Sequence, residues 1–370
     1  MRRELYAGVM SGTSLDGIDA AVAMFGGTHA ASCSILGSAH VPFPSPLRAE
    51  LLALQEDSDD ELARAARAGN ALADLYADAI VAACKAAEIA PADLAAAGVH
   101  GQTLRHRPEQ EWTLQLNNPA RVAERARTTI VADFRSRDIA AGGQGAPLVP
   151  AFHAVFFGST DRHRAIVNIG GIANITDLPP GHAGLGFDTG PGNVLLDAWC
   201  QRHCGQMFDE NGTWAASGRV DGTLLVALLA EPFFAIAPPK STGRGLFNAG
   251  WLDAALSRTD WQGRAADVQA TLLALTARTV ADAIRRFAPG AADVFVCGGG
   301  ARNATLLQAL TSEVAPRRLV TTTDLGIPAE HVEAVAFAWF AREALAQRAL
   351  DLSDVTGARG PRVLGAVYYK

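Results

Sequence analysis

The sequence predicts an α/β chain of two related lobes facing one another across a cleft, and three observations lead to it. A strand, a glycine-containing turn and a returning strand open the chain at residues 5–10, Ser11-Gly12-Thr13-Ser14 and 18–25. The pattern recurs near the middle at 165–169, Gly170-Gly171 and 172–178. Each hairpin is followed by stretches of helical spacing, so each heads its own α/β half. Between the halves, Gly142-Gly143-Gln144-Gly145-Ala146-Pro147 is the stretch best suited to a boundary. The expected lobes are therefore 1–145 and 146–370, with the C-terminal segment packing back on the first.

The remaining elements follow in order. Residues 46–97 are rich in Ala and Leu with helical spacing, and Pro91 begins a further short helical stretch. A strand is expected at 97–100, running into Gly101-Gln102-Thr103. Residues 121–127 read as helix and 128–132 as a strand, with Asp133-Phe134-Arg135 at its carboxyl end. In the second half an apolar helical run begins at Val194, and helices are expected at 224–229, 267–287, 304–314 and 332–348. A strand at 294–297 delivers the chain to Gly298-Gly299-Gly300.

The 370 residues are enough for two cores, and 49% hydrophobic against 19% charged residues fits a well-packed protein. A net charge of −6 argues against a nucleic-acid or anionic-membrane binder. A nucleotide would then have to be held by local donors and a metal. The five cysteines form no disulfide framework, and Cys200, His203 and Cys204 lack a fourth ligand at zinc spacing. The N-terminus turns polar before an export-signal core could form, and no apolar run approaches a membrane span, so a cytoplasmic protein is expected.

Five stretches could carry chemistry. In Gly8-Val9-Met10-Ser11-Gly12-Thr13-Ser14-Leu15-Asp16-Gly17-Ile18-Asp19, glycines let successive N–H groups point at one anion and the hydroxyls add donors. Asp16 and Asp19 add carboxylates suited to Mg²⁺, although an ordinary hairpin turn would read similarly. In Gly186-Phe187-Asp188-Thr189-Gly190-Pro191-Gly192-Asn193, a stiffened turn gives Asp188 the fixed direction a general base needs. The alternative is that Asp188 caps a turn and Asn193 a helix. Gly298-Gly299-Gly300-Ala301-Arg302-Asn303 lets a flat ring or ribose approach the backbone, without the spacing of a dinucleotide fingerprint. Lys240, one of three lysines against 29 arginines, sits in Pro239-Lys240-Ser241-Thr242-Gly243-Arg244, where a plain surface loop is the commoner explanation. His100, Gln102, Thr103, Arg135 and Glu333 are polar groups of the kind that bind sugars by directional hydrogen bonds.

Together these stretches resemble the anhydro-N-acetylmuramic acid kinases. The carrying motifs are residues 8–19, His-Gly-Gln-Thr at 100–103, Asp-Phe-Arg at 133–135 and Gly-Gly-Gln-Gly-Ala-Pro-Leu-Val-Pro at 142–150. They continue with Asn-Ile-Gly-Gly-Ile-Ala-Asn-Ile-Thr at 168–176, Phe-Asp-Thr-Gly-Pro-Gly-Asn at 187–193, Lys-Ser-Thr-Gly-Arg at 240–244, Gly-Gly-Gly-Ala-Arg-Asn at 298–303 and Val-Glu-Ala-Val-Ala-Phe-Ala-Trp at 332–339. After the Lys-Ser-Thr-Gly-Arg stretch the family usually carries Glu, where Gly245 stands here. The resemblance implies an actin/hexokinase-like (ribonuclease H-like) fold and a homodimer using ATP and Mg²⁺. It also implies a reaction: 1,6-anhydro-N-acetylmuramic acid is hydrolysed and phosphorylated to N-acetylmuramic acid 6-phosphate in cell-wall recycling. Asp188 is then the expected catalytic residue. Ser11, Gly12, Thr13, Ser14, Asp16, Gly17, Asp19, Gly170, Gly171, Gly298, Gly299, Gly300 and Asn303 are expected to bind the nucleotide. His100, Gln102, Thr103, Arg135 and Glu333 are expected to bind the sugar, and no metal ligand is assigned. The competing readings keep the fold with another substrate (an ordinary sugar or acid kinase, a polyphosphate phosphatase) or drop catalysis for a filament or sugar sensor.

Overall fold

The computed structural model describes residues 4–12, 14–26, 32–182 and 184–370. The strands among them are β1 Leu5–Met10, β2 Gly17–Gly26, β3 Ser32–Pro42, β4 Leu94–Val99, β5 Gln102–Arg107, β6 Trp112–Leu116 and β7 Ile130–Ala132. They continue with β8 Arg164–Ile169, β9 Ile172–Leu178, β10 Gly186–Pro191, β11 Asp293–Cys297, β12 Arg318–Thr321 and β13 Ala366–Tyr368. Chain contacts divide the molecule into one unit of Met1–Phe156 with His331–Lys370 and a second of Phe157–Glu330.

The first unit holds a sheet in the order β13-β7-β4-β1-β2-β3. β1 pairs antiparallel with β2 and parallel with β4, and β4 pairs parallel with β7. The second unit repeats this plan, in the order β10-β9-β8-β11-β12, with β8 antiparallel to β9 and parallel to β11. Both sheets thus run third-second-first-fourth-fifth strand with the second reversed. This is the ribonuclease H-like order whose duplication makes the actin/hexokinase-like fold. The two glycine hairpins are the first and second strands of each copy.

Both sheets pack against helices. In the first unit, Leu72, Tyr76, Ile80 and Cys84 of the Glu61–Ala86 helix pack with Val9, Ile18 and Val99. The other face of that sheet takes the helix Val332–Leu345, whose Ala334, Ala338 and Ala341 side lies almost against the strand backbones. A Cβ on Gly8 would sit 1.8 Å from the Ala334 carbonyl oxygen, and one on Gly98 would sit 2.0 Å from that of Phe337. Gly8→Ala should therefore cost about 1–3 kcal/mol, the usual penalty of overpacking, and lower the urea midpoint at unchanged slope. An unaltered midpoint would mean that the helix can withdraw freely.

Several sequence expectations need correction. Residues 46–97 do not run helical throughout: helices span Ser45–Ala53 and Glu61–Ala86, and Leu94-Ala95-Ala96 already belong to β4. Short alanine-rich runs fit either period, and here pairing with β1 decides. Strands β3, β5, β6, β12 and β13 have no counterpart in the sequence reading, and Gly186–Pro191, expected as a stiffened turn, is strand β10. The last long helix stops at Leu345 rather than 348. Gln347 takes φ +52°, and Arg348 turns back to pair with the Glu343 carboxylate. No helix among the described residues is long and apolar enough to cross a membrane.

Candidate active site

The second unit gathers its glycine turns at the carboxyl ends of its strands, where ligands settle on open α/β sheets. The Gly170-Gly171 turn closing β8 accepts hydrogen bonds from the chain leaving β10: Asn193 N–H to the Gly170 carbonyl (2.9 Å), and Gly192 and Val194 N–H to that of Gly171 (2.9 and 3.0 Å). A side chain on Gly192 would meet the Gly170 oxygen at 2.3 Å. Gly298, at φ +82°, follows β11 so tightly that a Cβ would lie 2.4 Å from Asn168 Oδ1. Gly300 is likewise filled by Ile169, whereas Gly299 is exposed and has Asn193 Nδ2 as the nearest atom to a hypothetical Cβ, at 3.8 Å. Close backbone approach is thus required at Gly192, Gly298 and Gly300, and Gly299 is the open position. Asn303 is the N-cap of the Ala304–Val314 helix, its Oδ1 accepting from Leu306 N–H at 2.9 Å.

Asp188 lies on β10, an edge strand, and is 6% exposed. The segment after Pro239 covers that edge. Asp188 N–H donates to the Lys240 carbonyl (3.2 Å), and Thr242 N–H donates to Asp188 Oδ2 (2.9 Å). The carboxylate therefore has a set rotation. Directly across the strand pair lies Asn174, whose buried Oδ1 has no hydrogen-bond partner. An unsatisfied buried acceptor beside a carboxylate is costly without a ligand or water donor. In the sequence Asn174 is one residue of the 168–176 motif, and only the β9–β10 register places it opposite Asp188 across the strand pair.

In the first unit a chain of hydrogen bonds joins two of the residues expected to bind sugar, His100 and Arg135. Tyr76 OH lies 2.8 Å from Ser11 Oγ, which donates to the Gly101 carbonyl at 3.4 Å. His100 Nδ1 donates to that same carbonyl at 2.7 Å, so its Nε2 carries the lone pair that accepts from Arg135 Nε at 2.9 Å. Burial, aided by the Arg135 charge, holds the His100 pKa well below the usual histidine value, and the ring is neutral at pH 7. His100 thus orients Arg135 and does no acid–base work in this arrangement. A terminal nitrogen of Arg135 also donates to the Gly145 carbonyl at 3.1 Å. Gln102 Nε2 donates to the Gly12 carbonyl (3.1 Å), while its Oε1 is a second buried acceptor with no partner.

The Gly142–Gly145 stretch is pinned by a residue that sequence reasoning missed. Buried Asp138 accepts from Gly145 N–H (2.7 Å) and Thr356 Oγ1 (2.8 Å), and a Cβ on Gly143 would meet its Oδ2 at 2.3 Å. Other expected site residues make contacts of their own. Thr103 Oγ1 accepts from Gln115 (3.2 Å), exposed Asp19 lies 2.9 Å from His40 Nδ1, and Asp16 Oδ1 accepts from Ser14 Oγ (2.7 Å) and Gly17 N–H (2.9 Å). Glu333 is half-buried in the first turn of the Val332–Leu345 helix, where the helix dipole favours a carboxylate. Thr13 lies outside the described residues. Among the described residues no group of three or more His, Cys, Asp or Glu could hold a metal ion.

Comparison with known proteins agrees with this picture. The chain is 55% identical to the anhydro-N-acetylmuramic acid kinase of Bordetella petrii over 98% of its own length and 96% of that protein's. It is 49% identical to the one from Cupriavidus metallidurans (99% and 97% covered) and 52% identical to the one from Burkholderia thailandensis (98% and 97%). The profile of the family described as anhydro-N-acetylmuramic acid kinase matches residues 4–370, and the chain belongs to that family.

Proposed function

We propose that this chain performs the reaction of its family: it opens 1,6-anhydro-N-acetylmuramic acid with water and phosphorylates the 6-oxygen from ATP, giving N-acetylmuramic acid 6-phosphate and ADP. The chain is a sugar kinase of cell-wall recycling. What supports the residue assignment is the carboxylate of Asp188, buried and rotationally fixed on a sheet edge beside the glycine turns.

Asp188 takes a proton from a water behind the anomeric carbon. The water oxygen bonds to that carbon, the bridging C1–O6 bond breaks, and the electron pair stays on O6. O6 then attacks the γ-phosphorus and ADP leaves. Attack from the far side inverts the anomeric centre. Gln102, Thr103, Arg135 and Glu333 hold the sugar, with the guanidinium of Arg135, aimed by His100, on the lactyl carboxylate. The turns at 11–14 and 170–171 donate to the phosphates, and Gly298 to Gly300 with Asn303 face the adenosine.

The single carboxylates of the first hairpin, Asp16 and Asp19, are exposed. They suit a Mg²⁺ ion held mainly by phosphate oxygens and water rather than an all-protein cage. When bound, that ion would neutralise charge on the transferring phosphoryl group. ATP and the sugar are the proposed partners, in the cytoplasm, with the chain working as a homodimer.

The test is turnover of Mg-ATP and 1,6-anhydro-N-acetylmuramic acid in ¹⁸O-labelled water, read by mass spectrometry. A ring-opened 6-phosphate with one label on the anomeric oxygen is expected. An unlabelled phosphorylated product would leave an ordinary sugar kinase, and no sugar product would leave a sensor or another substrate.

A further inference from the structure

The most unusual side chain near Asp188 is a buried cation that the reaction above does not use. Lys240 is 6% exposed. Its ammonium donates to the Phe233 carbonyl at 3.0 Å, lies 4.4 Å from the centre of the Phe233 ring and 5.8 Å from that of Phe187. A lysine is rarely buried without purpose, because desolvating an ammonium costs several kcal/mol unless partners offset it. Here the partners are one carbonyl and two ring faces, an arrangement that holds a cation in place.

The backbone on either side of that anchor grips Asp188. The Lys240 carbonyl accepts from Asp188 N–H, and two residues later Thr242 N–H reaches Asp188 Oδ2. Phe187, the residue before Asp188, supplies one of the rings around the ammonium. Further along, the Gly243 carbonyl accepts from Leu246 and Phe247 N–H (3.1 Å each), while the Lys240 side chain is the part of the segment that reaches inward beside Phe187. The fixed direction of Asp188 thus depends on a short segment whose inward anchor is the Lys240 side chain.

We propose that Lys240 is a positioning residue for the general base: its ammonium, seated between Phe187 and Phe233, clamps the 240–242 backbone on the edge of β10, and Thr242 N–H thereby sets the rotation of the Asp188 carboxylate. The proposal rests on Asp188 being the base. Burial and, secondarily, the positive charge of Arg286 on the Ala265–Phe287 helix push the lysine pKa down to about 8, opposed by Asp188 on β10. The carboxyl of Glu231, which begins the Phe233 turn, is bonded to Trp251 Nε1 at 2.8 Å.

Loss of the proton from Lys240 removes the clamp, so kcat falls above pH about 8. The sign for stability is opposite. The unfolded chain keeps this proton up to about 10.5, so between about 8 and 10.5 it binds more protons than the folded one and Lys240 makes folding more favourable as pH rises. Activity and stability then move in opposite directions over one window, which a merely structural lysine does not produce.

The experiment compares Lys240→Met, Thr242→Pro and Asp188→Asn in the full chain. Each is read as kcat, both KM values, a kcat–pH profile and a thermal midpoint. Expected for K240M is a roughly 10- to 100-fold fall in kcat, the scale of a slightly misdirected catalytic group, with both KM values near those of the unmodified chain and the alkaline limb gone. T242P, which deletes the N–H donor and leaves the buried ammonium, should show the same loss and keep the fold if K240M does not. Unchanged kcat in either variant, beside an inactive D188N, overturns the clamp and leaves Asp188 as the base. A fall in kcat with parallel loss of thermal stability and a persisting alkaline limb also overturns it, in favour of a packing role. An active D188N would instead remove the base assignment itself.

Discussion

Replacing Asp188 by asparagine is expected to lower kcat by roughly 10² to 10⁴, the usual contribution of a general base, with nucleotide affinity unchanged. The substitution is a clean one because asparagine keeps an oxygen that can accept the Thr242 N–H now bonded to Oδ2 at 2.9 Å. The Asp188 N–H to Lys240 carbonyl bond lies in the backbone and is untouched. The edge of β10 and its covering segment should therefore stay as they are while the proton acceptor is lost. Steady-state ADP release gives kcat, and calorimetry with a non-hydrolysable ATP analogue gives the affinity. Turnover near that of the unmodified chain would show that another group takes the proton from water. A parallel loss of nucleotide affinity would show instead that the glycine turns had moved, since Gly192 and Asn193 follow Asp188 and bond to Gly170 and Gly171.

Arg135→Ala is expected to raise the KM for the anhydro sugar roughly 10- to 100-fold with a smaller effect on kcat, matching the loss of a charge-assisted hydrogen bond worth about 1.5–3 kcal/mol. The guanidinium is aimed in advance, with Nε on His100 Nε2 (2.9 Å) and a terminal nitrogen on the Gly145 carbonyl (3.1 Å). Both bonds need the neutral His100 tautomer and the pinned loop, so little ordering remains for the ligand to supply. Arg135→Lys should recover only part of the affinity, since an ammonium keeps the charge and loses the planar fork. A comparison with 1,6-anhydro-N-acetylglucosamine, which lacks the lactyl carboxylate, isolates the contact. For that sugar R135A should change KM little. An equal penalty on both sugars would place Arg135 on another part of the substrate or in the scaffold alone.

Much of the second unit was legible in the sequence because its signals are local. A β-branched run ending in two glycines reads as a hairpin wherever it occurs, and β9 and the Ala304–Val314 helix fall at the expected residues. The glycine turns stood in short motifs because a close backbone approach constrains adjacent residues, whereas Asp188, expected on a stiffened turn, lies inside β10, and Lys240, expected in a surface loop, is buried. Where the local signal was ambiguous the reading failed. Leu94-Ala95-Ala96 suits a helix or a strand equally, and only pairing with β1 makes it a strand.

The amino-acid sequence by itself determined the two glycine hairpins, most of the long helices and the residue types available for chemistry. Tertiary structure alone decided which of them work together. Ser11 meets Tyr76 across 65 positions, His100 meets Arg135 across 35, Asp138 meets Thr356 across 218, and Asp188 meets Thr242 across 54. No periodicity carries such pairings, because they are set by strand register and by where each chain reversal returns the backbone. The same cause separates two histidine readings that look alike in sequence: His100 is a tautomer-fixed holder of Arg135, and His40 is an exposed partner of Asp19 on neighbouring strands. Burial completes the distinction, since removing water is what turns Lys240 from a loop residue into an anchored cation and leaves Gln102 and Asn174 with acceptors awaiting a donor.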